Sequence, residues 1–303
     1  MEKELYKNRS ISSCIKMAYL LFCSNVMTIL RRNWLPLLAF AIMEGVVTAW
    51  LIQHGNSLLE DNRGTSFFVL SSLLSLLYVA AMVWYMGCTT NLLNENGFRC
   101  NLLRNLKLTV FIGLIFIVLF VGAIAWLLTT LQPIATGHEM QQTGTTVQMW
   151  IFPLCLLVFA LLLLPLSYSY MNYIQAPKAR FKTHVIGGYF SGWRHFGYIF
   201  STQLLFGVIV FFLTILVAMP LYLLVFSYTL SQQGVLQGDV NTLPSYFPIL
   251  LYSCSILTGF ILIAIMTVGV YVNYYMYGAI VAKKKGVSRK TQLHPSLLMH
   301  IIS

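Results

Sequence analysis

The stretch FAIMEGVVTAW, residues 40–50, sets one carboxylate, Glu44, in the middle of an apolar run. No other Asp, Glu, Lys or Arg lies inside a long apolar segment of the chain. A lone buried carboxylate can serve a proton or solute path, or it can tie its helix to a neighbour by a hydrogen bond. Hydrolytic chemistry asks for more: a nucleophile beside a base, or a metal with several ligands. The six histidines, His54, His138, His184, His195, His294 and His300, are scattered. The nearest to Glu44 in sequence, His54, lies ~15 Å along a helix. The six cysteines (Cys14, Cys23, Cys88, Cys100, Cys155 and Cys254) form no CxxC pair and no zinc spacing with histidine. They read as small packing residues. HExxH, GxSxG, GxGxxG and the P-loop pattern are all absent. The sequence thus offers no catalytic constellation, no metal site and no cofactor motif, and Glu44 stands as the intramembrane polar candidate.

The elements that must position Glu44 follow from composition. Of 303 residues, 58% are hydrophobic and only 9% charged, where a soluble domain carries about 25% charged. The apolar residues fall in blocks long enough to cross a bilayer, which needs ~20 residues per helix. Six spans are expected, at 33–53, 67–92, 109–132, 150–174, 198–227 and 248–281. The last two exceed what a bilayer needs and must tilt, kink or project, with Pro220 as a kink point. Pro153 and Pro165 could break the fourth span. The expected fold class is an all-α polytopic membrane protein forming a single integral membrane domain over residues 1–303. Residues 1–32 would form its N-terminal segment and 282–303 a basic tail.

Charge sets the orientation. The net charge is +11, and of the 19 Lys and Arg residues all but Arg63 fall in the N-terminal segment, the loops after spans two and four, or the C-terminal tail. That bias predicts both termini in the cytoplasm, and it accounts for the charge without a nucleic-acid partner. The expected location is a bacterial cytoplasmic membrane, with the lipid bilayer as partner, anionic lipids at the cytoplasmic face, and room there for a partner protein. Glu60, Asp61, Glu139, Asp239, His54 and His138 fall in the outer loops as a solvated rim. The polar N-terminus MEKELYKNRSISSC argues against a cleavable signal peptide. The final LLMHIIS matches no lipidation motif.

The chain also repeats itself. LRRNWLPLL (30–38), LLRNLKLTV (102–110) and GWRHFGYIF (192–200) each give Arg, then Asn or His, then a large apolar residue, at the start of an odd-numbered span. Spans two, four and six end in YMGCTTNLL, YSYMNYIQA and VYVNYYMYG. The interface anchors are therefore Arg32, Arg104 and Arg194 on the way in and Asn91, Asn172 and Asn273 on the way out. Three tandem helical hairpins are expected. Amphipathic helices at residues 9–30 and 182–196 would lie in the cytoplasmic interface. In the first, Ile11, Ile15, Ala18, Phe22, Val26 and Ile29 share one face, with Ser12, Lys16, Ser24 and Thr28 on another. In the second, Val185, Tyr189 and Trp193 share a face. Tyr168, Tyr170, Tyr173, Tyr271, Tyr274, Tyr275 and Tyr277 would form a belt at that interface.

This layout, carried by ILRRNWLPLL, LLRNLKLTV and GWRHFGYIF, resembles the membrane-domain family associated with some glycerophosphodiester phosphodiesterases. In members with that activity, catalysis belongs to a separate soluble domain. The longest non-membrane stretch here is the N-terminal 1–32, so the resemblance implies a membrane fold and argues against that catalysis. Three functions remain. A non-enzymatic module handling lipid or small solute, or serving a partner protein, fits best. A transporter using Glu44 is the alternative, and an intramembrane enzyme comes third. The Ser and Thr residues within the spans, among them Ser71, Thr258 and Thr267, more often join helices than bind substrate.

Glu44 breaks the repeat, because the matching positions are Phe116 and Phe206. It lies ~18 Å beyond Arg32 at 1.5 Å per residue, near the middle of a ~30 Å hydrocarbon core. Inserting an ionised carboxylate there costs ~2.5 kcal/mol or more. The residue should face the bundle interior and meet a Ser, Thr or Tyr of a neighbouring span.

Overall fold

A computed structural model describes residues 5–54, 64–94, 96–135, 154–176, 180–238, 240 and 243–299. Among these residues the chain is all α-helical, with no strand. The expected rim residues Glu60, Asp61, Glu139, Asp239 and His138, together with Arg63 and Pro153, lie outside the described residues.

The helices are α1 (Ile11–His54), α2 (Gly64–Leu93), α3 (Phe98–Ala135), α4 (154–163), α5 (Pro165–Gln175), α6 (Gly187–Trp193), α7 (Phe196–Leu236) and α8 (Phe247–Met299). A π-helical turn, Lys182–Ile186, precedes α6. Six helical stretches among the described residues are long and apolar enough to cross a membrane: Ile11–His54, Ser66–Leu93, Phe98–Leu119, Leu154–Gln175, Phe196–Leu236 and Phe247–Lys284. The protein is an all-α polytopic membrane protein. In hydrocarbon every backbone N–H and C=O must find a partner within the chain, which is why Leu-, Val-, Ile- and Phe-rich runs resolve into long helices.

The six stretches overlap the expected spans, but the helices extend further. With 44 residues, α1 covers both the expected interfacial helix and the first span without a break. Nothing in RRNWLP ends a helix except Pro36, and the helix passes through it. Likewise α7, at 41 residues, runs through Pro220, and α8 reaches 53 residues. At 1.5 Å per residue they are ~62 and ~80 Å long, well beyond a bilayer core. Pro165 acts differently. The chain turns at Leu164, where i→i−3 backbone bonds from Leu164 N to Leu161 O (3.3 Å) and from Ser167 N to Leu164 O (3.1 Å) replace the regular ladder. Pro165 then opens α5 from its first turn, where its missing N–H costs nothing.

Two compact units emerge, Met1–Leu102 with Thr202–Ser303, and Leu103–Ser201. In the first, α1 packs mainly on α8 and α2. Its core joins Leu37, Phe40 and Ala41 to Ala81 and Tyr85 of α2 and Ile263 of α8. A second cluster joins Ala49 to Phe247 and Leu251. In the second unit, Leu108, Tyr173, Ile174 and Val185 form the core. Outside these cores, large apolar side chains such as Val118 and Leu216 are more than two-thirds exposed, the surface expected of helices solvated by lipid tails.

Candidate functional site

Glu44 lies half-buried where α1 crosses α2 and α8. The Tyr78 hydroxyl of α2 lies near enough for the carboxylate charge to act on it. On the α8 side the crossing is built from glycines. A Cβ added at Gly259 would stand 3.2 Å from Glu44 Cγ, and one at Gly45 would stand 2.5 Å from the backbone nitrogen of Ile256. Small residues of this kind let two helix backbones meet.

Glu44 heads a polar ladder. Phe40, one turn back, packs against both Tyr78 and Tyr85, with ring centroids 5.3 and 5.8 Å away. The Tyr85 hydroxyl meets the Thr267 hydroxyl of α8, and Thr267 also donates to Ile263 O at 2.8 Å. Further along, Asn33 Nδ2 donates to Thr89 Oγ1 at 3.5 Å. Tyr78, Tyr85 and Thr89 recur at seven and eleven residues on α2, so they share one face. The sequence reading fixed on Glu44 and Thr267 but passed over Tyr78, Tyr85 and Thr89. The seven-residue spacing of the two tyrosines, with Ala81 between them, was the available signal.

The six anchors have unequal roles. Arg104 is buried and donates to three carbonyls, Tyr173 O (3.1 Å), Ile174 O (3.0 Å) and Ala176 O (2.8 Å), while its guanidinium lies 5.5 Å over the Tyr173 ring. It thereby caps the end of α5, where carbonyls lack helical partners and a cation is favoured. Arg32 and Arg194 are exposed. In two of the three motifs the residue after the arginine turns inward. Asn33 and Asn105 are buried, and Asn105 accepts from Tyr170 at 2.9 Å. On the way out, Asn91 accepts from Asn101 at 3.2 Å, Asn172 donates to His184 O at 3.1 Å, and Asn273 accepts from Gln203. All three therefore make hydrogen bonds inside the protein.

The expected amphipathic segments pack closely. In α1, Cys14, Ala18, Leu21 and Ile29 are buried, and Ile11, Ile15, Phe22 and Val26 are half-buried. The 182–196 segment departs from its expected face. Val185 is buried, but Gly188 and Gly192 take the positions expected of Tyr189 and Trp193, and Trp193 is exposed. The glycines allow direct contact with α5: a Cβ on Gly188 would reach Ser169 Oγ at 2.8 Å, and one on Gly192 would reach Pro165 Cβ at 3.0 Å. The expected tyrosine belt is also internal. Tyr271, Tyr274, Tyr275 and Tyr277 are all buried, with Arg9 5.0 Å over the Tyr275 ring.

A groove of about 770 Å3 runs between the first turns of α1 and the faces of α7 and α8. Ser12, Lys16, Tyr19 and Cys23 edge it from α1, and Leu205, Phe206, Ala264 and Val268 help form its apolar walls. A smaller apolar groove of about 340 Å3 in the second unit lies among Phe111, Phe159, Leu163, Val185 and Phe190. A third, of about 320 Å3, is more polar and is lined by Gln53, His54, Tyr228 and Gln232. His54 there stacks on Trp50 at 3.7 Å between ring centroids. Among the described residues, no three His, Cys, Asp or Glu side chains come together to hold a metal.

No family model, curated relative or solved structure matches the chain.

Proposed function

We propose that this protein is a non-enzymatic module of a bacterial cytoplasmic membrane that holds a lipid, with both termini in the cytoplasm. The groove of about 770 Å3 along α1, α7 and α8 carries the reading. Its volume lies within the ~300–1,000 Å3 of small-molecule sites, and its lining is overwhelmingly apolar, as such sites are. The helices around it already present their apolar faces to the bilayer, so a lipid needs no aqueous route to reach it. The concentration of basic residues in alternate loops and both terminal segments supports the orientation.

Packing supports the three-hairpin repeat. Each segment leading into a hairpin lies on the helix that closed the hairpin before it. Leu102 and Asn101 lie on Gly87 and Asn91 of α2, while Gly188 and Gly192 lie on Ser169 and Pro165 of α5. Leu5, Arg9 and Phe22, ahead of the first hairpin, lie on Gly278, Tyr275 and Tyr271 of the last. This order is compatible with the layout of the membrane-domain family associated with glycerophosphodiester phosphodiesterases, and kinship with that family is part of the proposal.

Mass spectrometry of lipid retained through purification in mild detergent tests the function. Ala264→Trp, which fills the groove, is expected to abolish a retained one-to-one lipid. Leu216→Trp, on an exposed face of α7, should leave it in place. Equal retention by both variants overturns the lipid reading. A second reading, solute transport, draws support from the half-exposed carboxylate of Glu44 within a span.

A further inference from the structure

We propose that the groove takes one anionic phospholipid, with an acyl chain between α7 and α8 and the phosphate on Lys16. The inference rests on the lipid reading above and adds the headgroup.

Three observations carry it. First, Lys16 is the one charged residue that lines the groove. Its neighbours in the lining are the apolar walls of α7 and α8 and the short polar edge of α1. A site with a single cation at the margin of an otherwise apolar trough matches an amphiphile whose one charge is negative.

Second, among the described residues this cation is uncommitted. Lys16 is exposed, and Glu44 is the one acidic residue among the described residues. Glu44 lies at the crossing of α1 with α8, packed against Gly259 and about eight turns along the helix from Lys16. Of the other basic residues near this end of α1, Arg9 is engaged with Leu5 O at 3.0 Å and the Tyr275 ring. Lys16 therefore supplies a positive charge that the described residues do not neutralise.

Third, the polar groups are aligned. Ser12, Lys16, Tyr19 and Cys23 follow one another at four, seven and eleven residues, which puts them in a single stripe along α1. Tyr19 and Cys23 interact with each other. That leaves the ammonium of Lys16 as the donor for phosphate oxygens, one turn from the Ser12 hydroxyl, which shares a 3.5 Å hydrogen bond with that of Ser10. An ammonium is a compact point charge without the planar fork of arginine. The site should accordingly select by headgroup charge rather than by headgroup identity.

The test uses the full chain in detergent, titrated with phosphatidylglycerol or phosphatidylcholine and read by native mass spectrometry. The wild-type protein is expected to prefer phosphatidylglycerol about fivefold, the scale of one lysine near a membrane surface. Lys16→Arg should keep the preference, and Lys16→Ala should bind both lipids equally. Ala264→Trp should bind neither above the level of Leu216→Trp. Should Ala264→Trp melt early, Val268→Trp on the same wall replaces it. Inorganic phosphate at millimolar concentration should not displace phosphatidylglycerol, because the chain is held by the walls. A preference that persists in Lys16→Ala overturns the headgroup assignment and leaves the lipid reading standing. Undiminished binding of both lipids by the groove-filling variants overturns the lipid reading itself. Displacement by inorganic phosphate alone would make Lys16 a simple anion site. A dimer lost on filling the groove would give it to a second copy of the chain. Either result overturns the proposal.

Discussion

Glu44 on α1 lies beside the Tyr78 hydroxyl of α2 while its Cγ lies against Gly259 of α8. One side chain thus joins three helices, by polarity on one side and by absence of bulk on the other. If the role is to join helices, a neutral amide can perform it, because Gln keeps both the shape and the acceptor. Glu44→Gln is expected to keep the melting temperature within a few degrees. Tyr78→Phe, alone and combined with it, should show a coupling of ~0.6 kcal/mol, with ~1.7 kcal/mol as the upper range for such bonds in membranes. A Gln variant that folds normally but stops moving a solute would hand Glu44 to the transport reading.

The close approach at the same crossing gives a second expectation. A methyl group at Gly45 would overlap the backbone of Ile256, and backbone cannot swing aside as a side-chain tip can. Gly45→Ala should destabilise by ~1–3 kcal/mol, the usual cost of overpacking. Gly113→Ala, where a Cβ meets nothing within 4 Å, should be neutral or slightly stabilising. Equal melting temperatures for the two variants would show that α1 and α8 are not in backbone contact.

Arg104 closes the end of α5 by holding three carbonyl oxygens. Removing it leaves buried acceptors without their donor, at ~1–3 kcal/mol for each group stranded. Arg104→Ala should therefore lower stability by several kcal/mol. Arg104→Lys should recover only part, since a single ammonium lacks the planar fork of donors. Arg32→Ala, at an exposed position, should cost little. Thermal melts in one detergent would rank the three, and a ranking with Arg32 first would refute the assignment.

Tyr271 points the other way. Among the described residues its buried hydroxyl finds no hydrogen-bond partner, nor does that of Ser255. An orphaned buried hydroxyl carries a desolvation penalty of ~1–3 kcal/mol, so Tyr271→Phe should leave stability unchanged or raise it. A loss above ~1 kcal/mol would reveal a partner for that oxygen in the membrane.

Fold class and the six spans were legible because hydropathy is a long-window signal, and no local detail of packing can reverse a run of some twenty apolar residues. Glu44 was legible for the same reason, as a charge where insertion penalises one. Its partners were not. Tyr78 and Tyr85 read as ordinary members of an apolar helix, and only the rotation of α2 about its own axis tells which of its faces meets Phe40 and Thr267. The arginine motif does not tell from sequence which member of each pair turns inward: Arg104 and Asn105 are both buried, whereas Asn33 is buried beside an exposed Arg32. Gly188 and Gly192 form the contact surface with α5, because close packing favours the side chain that is absent.

The pairing of α1 with α8 sets a timetable for synthesis. Gly45 meets Ile256, and Leu5 meets Gly278, so partners made early and late must find each other across more than two hundred residues of intervening chain. During translation α1 and α2 can pair at once, but the flank of Glu44 that Gly259 will cover stays open until α8 emerges. The Leu103–Ser201 unit, continuous in sequence, can assemble meanwhile. Contacts this distant along the chain form slowly, and a ribosome stalled before α8 would leave a nascent chain with its one intramembrane carboxylate uncovered. Such an intermediate is a natural client for whatever machinery escorts unfinished helices in the bilayer.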